Sequence, residues 1–129
     1  MAEQVTPTVP ERLAAADDLL RGAVTDAGGL WSRATVWILR ITLEQAIDQL
    51  WLRVAPPLAR CSMRAQLLAL DVYIGAEVAA RISALWAVLS RAGHHHDYEL
   101  APTVEELRGW YEDTVLLVDR LETVRTASR

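Results

Sequence analysis

The chain contains no lysine, no asparagine and no phenylalanine, and a single cysteine, Cys61. Each absence removes a chemistry. Without lysine there is no lysine nucleophile or Schiff base, and all 13 basic residues are arginine. One cysteine permits neither an intrachain disulfide nor a cysteine zinc cage, and it suits a reducing, cytoplasmic setting. No stretch approaches the roughly 20 apolar residues that span a bilayer, so no membrane partner is expected. The segment from Met1 to Arg12 is polar and acidic with no apolar core, so no signal peptide is expected either. Phosphate-loop, dinucleotide-fold, G-x-S-x-G and H-E-x-x-H signatures are all missing. No run alternates with period two between hairpin signals, which leaves no strand to predict.

What is present suits a packed helical domain. The chain has 129 residues, 52% hydrophobic and 23% charged, with a formal charge of −4. That length fits one domain over 1–129, with residues 1–9 as a tail. Thr8, Pro10 and Glu11 make a capping-box start to a first helix. Leu13, Ala16, Leu20 and Ala23 continue it until Gly28-Gly29. A second helix is expected from Leu30 to Val54, with Trp37, Ile38, Ile41, Ile47, Leu50, Trp51 and Val54 inward and Pro56-Pro57 as its stop. A third runs from Ala59 to Tyr73, where Gly75 breaks or bends it, and a fourth from Ala76 to Ser90. The last begins at Thr103, with Glu106 completing a second capping box, and carries Leu107, Trp110, Thr114, Leu117, Leu121 and Val124 as one stripe. The expected fold class is all-α, a bundle of four to five helices. Trp37, Trp51, Trp86 and Trp110 fall on apolar stripes and are expected in the core, whereas Trp31 is the tryptophan expected at the surface or in an interface.

Charge is unevenly distributed. Residues 31–64 carry Arg33, Arg40, Arg53, Arg60 and Arg64 against Glu44 and Asp48, a net of +3, while residues 97–122 have a net of −6. A negative total therefore leaves room for a local basic site. Arg33, Arg40 and Arg64 are its candidate contacts to an anionic substrate, although scattered helix-surface arginines are commonly just solvated. Glu105, Glu106, Glu112 and Asp113 read as a solvated helix face, because no second E-x-x-E is available to complete an acidic metal cluster.

The densest chemistry lies between the fourth and last helices, where all three histidines are consecutive, as Arg91-Ala92-Gly93-His94-His95-His96-Asp97-Tyr98. Imidazole transfers protons near neutral pH, and arginine grips phosphate oxygens bidentately. The pattern Arg91-x4-His96-x-Tyr98 resembles the motif of the HEPN superfamily of small helical bundles, in particular the toxin ribonucleases of HEPN/nucleotidyltransferase toxin–antitoxin systems. The motif also sits, as in that family, just before a last long helix.

The resemblance implies a HEPN-like fold and metal-independent RNA cleavage, with no cofactor. The RNA 2′-hydroxyl would attack the adjacent phosphate, with His96 as general base or acid and Arg91 stabilising the phosphorane. A homodimer would place both motifs in one composite cleft. Tyr98 would be the residue that a nucleotidyltransferase antitoxin modifies with AMP, and His94, His95 and Asp97 would be accessory. Ala92 stands where many active members carry Asn, Asp or His. A non-cleaving RNA-, nucleotide- or protein-binding module is therefore the second expectation. A third is a metal-binding bundle using His94, His95 and His96 with Asp97 or Glu99. Plainer roles stand beside these. Arg91 completes the helix dipole, with Gly93 at the left-handed position past the helix end. The histidines form a solvated loop, and Tyr98 caps the core.

Overall fold

The computed structural model of the chain describes residues 5–22, 30–93 and 101–128. Among the described residues the architecture is entirely helical. In chain order it comprises α1 (Val9–Arg21), α2 (Leu30–Val54), a 3-10 turn (Pro56–Arg60), α3 (Met63–Ala69), α4 (Asp71–Ile74), α5 (Ala76–Gly93) and α6 (Val104–Ala127). α3 and α4 form one helical unit that tightens at Leu70, so the layout is a bundle of five helical units. No described helix is long and apolar enough to cross a membrane.

Both predicted capping boxes form. The Thr8 hydroxyl accepts from the Glu11 amide at 3.2 Å, and the Glu11 carboxylate accepts from the Thr8 amide at 3.4 Å. At α6 the corresponding Thr103–Glu106 bonds are both 3.1 Å. Each satisfies donors that a helix start otherwise leaves open. Thr8 and Val9 thus belong to the helix start rather than to a tail, and Val9 is buried.

Two expectations change. α1 stops at Arg21, where the Gly22 amide closes on Asp18 and Leu20 carbonyls, rather than at Gly28-Gly29. Ala23, Gly28 and Gly29 lie outside the described residues. The third helix does not begin at Ala59. Pro56-Pro57 folds into a 3-10 turn, Cys61 is extended, and the Ser62 hydroxyl caps a fresh helix by accepting from the Ala65 amide at 3.3 Å. Gly75, at φ +91°, breaks the chain between α4 and α5 in a conformation that disfavours any side chain.

α2 is the axis of the bundle. α1, α5, α6 and the 3-10 turn all pack against it. Its fully buried side chains are Val36, Leu39, Leu43, Ile47, Leu50 and Trp51. The expected inward stripe is correct from Ile47 to Trp51 but misplaced earlier: Ile38 and Ile41 are only half-buried, and Trp37 is 55% exposed. Trp37 therefore leaves the predicted core, while Trp31, Trp86 and Trp110 are half-buried against it. Trp51 meets Tyr73 of α4 edge-on, with ring centroids 5.3 Å apart. On α5, Ile82, Leu85 and Leu89 are buried, and on α6 Leu107, Thr114, Leu117 and Leu121 of the predicted stripe are as well.

Polar ties fix the outer helices. Arg108 of α6 donates to Asp17 of α1 at 2.7 Å, and Arg21 donates to the other Asp17 oxygen at 2.8 Å. Arg12 of α1 donates to Gln45 of α2 at 2.7 Å, and Gln45 donates to the Pro7 carbonyl at 3.0 Å.

The packing predicts that Trp51→Ala costs about 3–5 kcal/mol, and Leu43→Ala about 2–5 kcal/mol. Trp37→Ala should stay within about 0.5 kcal/mol. Urea unfolding followed by circular dichroism measures all three. The Arg108 hydrogen bond, helped by Arg21, holds the Asp17 carboxyl below its ordinary value of 3.8. A carboxylate with a lowered folded pKa stabilises above its unfolded pKa and loses that contribution as pH falls through the folded value. Asp17→Asn should therefore flatten the acid limb of the stability profile below about pH 4 while leaving its shape near neutrality unchanged.

Candidate functional site

The fourth predicted helix runs further than Ser90. Arg91, Ala92 and Gly93 are its last residues, so Gly93 lies inside the helix and not past its end. Arg91 sits about two and a half turns beyond buried Ile82, which puts it on the solvent side of α5. It is exposed, and among the described residues it has no ion pair or side-chain hydrogen bond. A cation here also complements the C-terminal end of the helix dipole. Ala92 faces the other way and packs against the core.

His94, His95, His96, Asp97, Tyr98 and Glu99 lie outside the described residues. The chain is described again from Ala101, two residues before the Thr103 cap.

The end of α5 lies against the first half of α2: a Cβ at Gly93 would stand 4.0 Å from the Val36 side chain. Arg33 is one turn before Val36 and Arg40 one turn after it, and seven residues bring both to the same side of α2. Arg33 is exposed, and Arg40 is half-buried. The Arg40 Nε is sealed from solvent with no acceptor among the described residues. On α5, the hydroxyl of Ser90 and the indole N–H of Trp86, whose side chain lines the groove toward α3, are also buried with no partner among the described residues. Because α2 and α5 run antiparallel, Ser90, one turn before Gly93, comes to the level of Arg40. This seam thus has donors without acceptors, and sequence reasoning missed it, because only the helix pairing reveals which donors lack partners.

Arg64 lies elsewhere. It is exposed in the first turn of α3 and lines a groove with Trp86 and Ser83 of α5. The structure therefore brings Arg33 and Arg40 to the end of α5 and sets Arg64 apart. Glu105, Glu112 and Asp113 are exposed on α6, and Glu106 is occupied in its capping box, as a solvated face requires. Among the described residues no group of three or more His, Cys, Asp or Glu is placed to hold a metal ion.

No protein-family model matches the chain, and neither a curated protein nor a solved structure is detectably similar to it.

Arg40 provides a test of whether this seam is structural. A half-buried guanidinium with an unpartnered Nε contributes little beyond the packing of its stem. Arg40→Met is expected to leave the melting temperature unchanged or raise it, in the pattern of a residue retained for binding rather than stability. A drop of several degrees in thermal unfolding would identify Arg40 as structural.

Proposed function

We propose that the chain is a HEPN-like, metal-independent endoribonuclease, of the kind that serves as a toxin or defence effector, acting as a homodimer. The observation that carries this reading is Arg91: an exposed cation with no acidic partner among the described residues, in the last turn of α5 and immediately before the histidine run. Arg40, half-buried on α2, stands at the same end of the bundle and adds to the positive charge there.

In the proposed step the 2′-oxygen of a nucleotide forms a bond to the adjacent phosphorus, and the bond from phosphorus to the 5′-oxygen breaks. His96 accepts the 2′-hydroxyl proton or delivers one to the leaving oxygen. Arg91 neutralises charge that grows on the non-bridging oxygens, where its fixed fork matches two of them. Two copies of the motif facing one cleft would supply both a base and an acid, which a single His96 does not. Tyr98, two residues beyond His96, is the position at which a nucleotidyltransferase antitoxin would attach AMP. The added phosphate there would repel RNA.

Ala92 favours a second reading. In this chain the residue after Arg91 is turned to the core and apolar, so it adds no polar group to the site. A non-cleaving RNA- or nucleotide-binding module uses Arg91 equally well without one.

Purified protein incubated with RNA in EDTA decides between them. The nuclease reading expects cleavage that falls by about 100-fold or more in His96→Ala and in Arg91→Ala. RNA that stays intact with the wild-type protein, yet is retained by it and released by Arg91→Ala, establishes the binding module instead.

A further inference from the structure

The groove between α3 and α5 encloses about 390 Å³ and is lined by Arg64, Leu67, Leu68, Ser83, Trp86 and Ala87. That volume is in the lower part of the range of small-molecule sites, about 300–1,000 Å³. Leu67 and Trp86 are anchored against the core, so the groove has a fixed apolar wall. Leu68 forms its outer lip and is 76% exposed, a large apolar surface left in water. Arg64 is exposed and has no acidic partner among the described residues.

The electrostatics separate this groove from its neighbours. The groove between α5 and α6 has both Arg81 and the carboxylate of Asp113 in its lining. The one bounded by α1, α2 and α6 carries Asp119 and Glu122. Near the ends of α2 and α6, Arg125 is bound to Glu122, and the Arg53 Nε donates to the Ser128 carbonyl at 3.1 Å. Only donors and a free cation supply the polar lining of the α3/α5 groove: the Arg64 guanidinium and the Ser83 hydroxyl, with no carboxylate.

We propose that this groove binds a small organic anion with an apolar body, an alkyl or aryl carboxylate. Arg64 holds the carboxylate, where a bidentate pair is geometrically matched. Leu67, Leu68 and the Trp86 ring cover the hydrocarbon, which gains by leaving water. Ser83 donates to whichever carboxylate oxygen faces α5. The lining of the groove ends at Ala87, one helical turn before Arg91 on α5, and anion binding there does not depend on the ribonuclease reading.

The test titrates the full chain with octanoate, acetate and octanol. The readouts are the indole N–H resonance of Trp86, assigned with Trp86→Phe, and the amides of Leu67 and Leu68. Octanoate is expected to shift these signals saturably, with acetate and octanol each weaker by about tenfold or more. Arg64→Gln, at an exposed position, should weaken octanoate about tenfold and leave octanol unchanged. Ala87→Leu, which fills the groove, should abolish binding of both. Acetate binding as well as octanoate would mean an adventitious ion only. Octanol matching octanoate would mean an apolar patch with no anion selection. Either of those results, shifts that never saturate, or an unchanged octanoate affinity in Arg64→Gln overturns the proposal.

Discussion

The whole bundle depends on the burial of α2. α2 is flanked by α1, α5, α6 and the 3-10 turn, and the threonines it buries are satisfied within the helix itself. Thr35 donates to the Trp31 carbonyl at 2.7 Å, and Thr42 donates likewise to the Ile38 carbonyl. Thr114 on α6 repeats the device with the Trp110 carbonyl at 2.7 Å. Each hydroxyl is hidden at the cost of a local backbone bond rather than a partner helix. That leaves the surfaces between helices to apolar packing, and the helices that surround α2 each bring one stripe to it.

Arginine is the residue that then fixes where the outer helices sit. Arg12 ties α1 to α2, and Arg108 ties α6 to α1 while its guanidinium lies over Tyr111, 5.4 Å from the ring centre. A planar fork with several donors can make a directed bond and still stack on a ring, which an ammonium does poorly. Arg12, Arg21, Arg53, Arg108 and Arg125 are committed to acceptors within the chain. Arg64 and Arg91 have no such acceptor among the described residues, and they stand at the groove and at the end of α5.

Local signals were legible in the sequence where the physics is local. The capping boxes at Thr8 and Thr103, the Pro56-Pro57 stop and the Gly75 break each act within a few residues, and each was readable in the order of residues. The inward face of α2 before Ile47 was not. Periodicity reports a face only when the opposite face is polar, and a helix apolar around most of its circumference loses that contrast. Val36, Leu39 and Leu43 are distinguished from Ile38 and Ile41 only by which neighbours stand beside them. The Ser62 cap was hidden inside a run that otherwise reads as continuous helix. On the site side, the exposure of Arg91 follows from helical phase. Which donors are left without partners, Arg40 and Trp86 among them, follows from how the helices pack, and the Asp17–Arg108 tie joins residues 91 positions apart. Tertiary partners of that kind leave no trace in local spacing.

The net charge of −4 is a poor guide to what the surface binds, and the layout explains why. Six acids are concentrated on α6: Glu105, Glu106, Glu112, Asp113, Asp119 and Glu122. Arg33 and Arg40 are on α2, Arg64 on α3 and Arg91 on α5. A helix with its side chains is about 10–12 Å across, and at physiological ionic strength exposed charges are screened over about 8 Å. An anion at the α3/α5 groove or at the end of α5 is therefore governed by the nearest guanidinium rather than by the sum over the chain. The sum acts on the encounter, where the acidic α6 face turns an approaching anion toward the opposite side of the bundle. In this architecture the acidic helix and the exposed arginines work together: one face repels, while Arg64 and Arg91, on α3 and α5, have no acidic partner among the described residues.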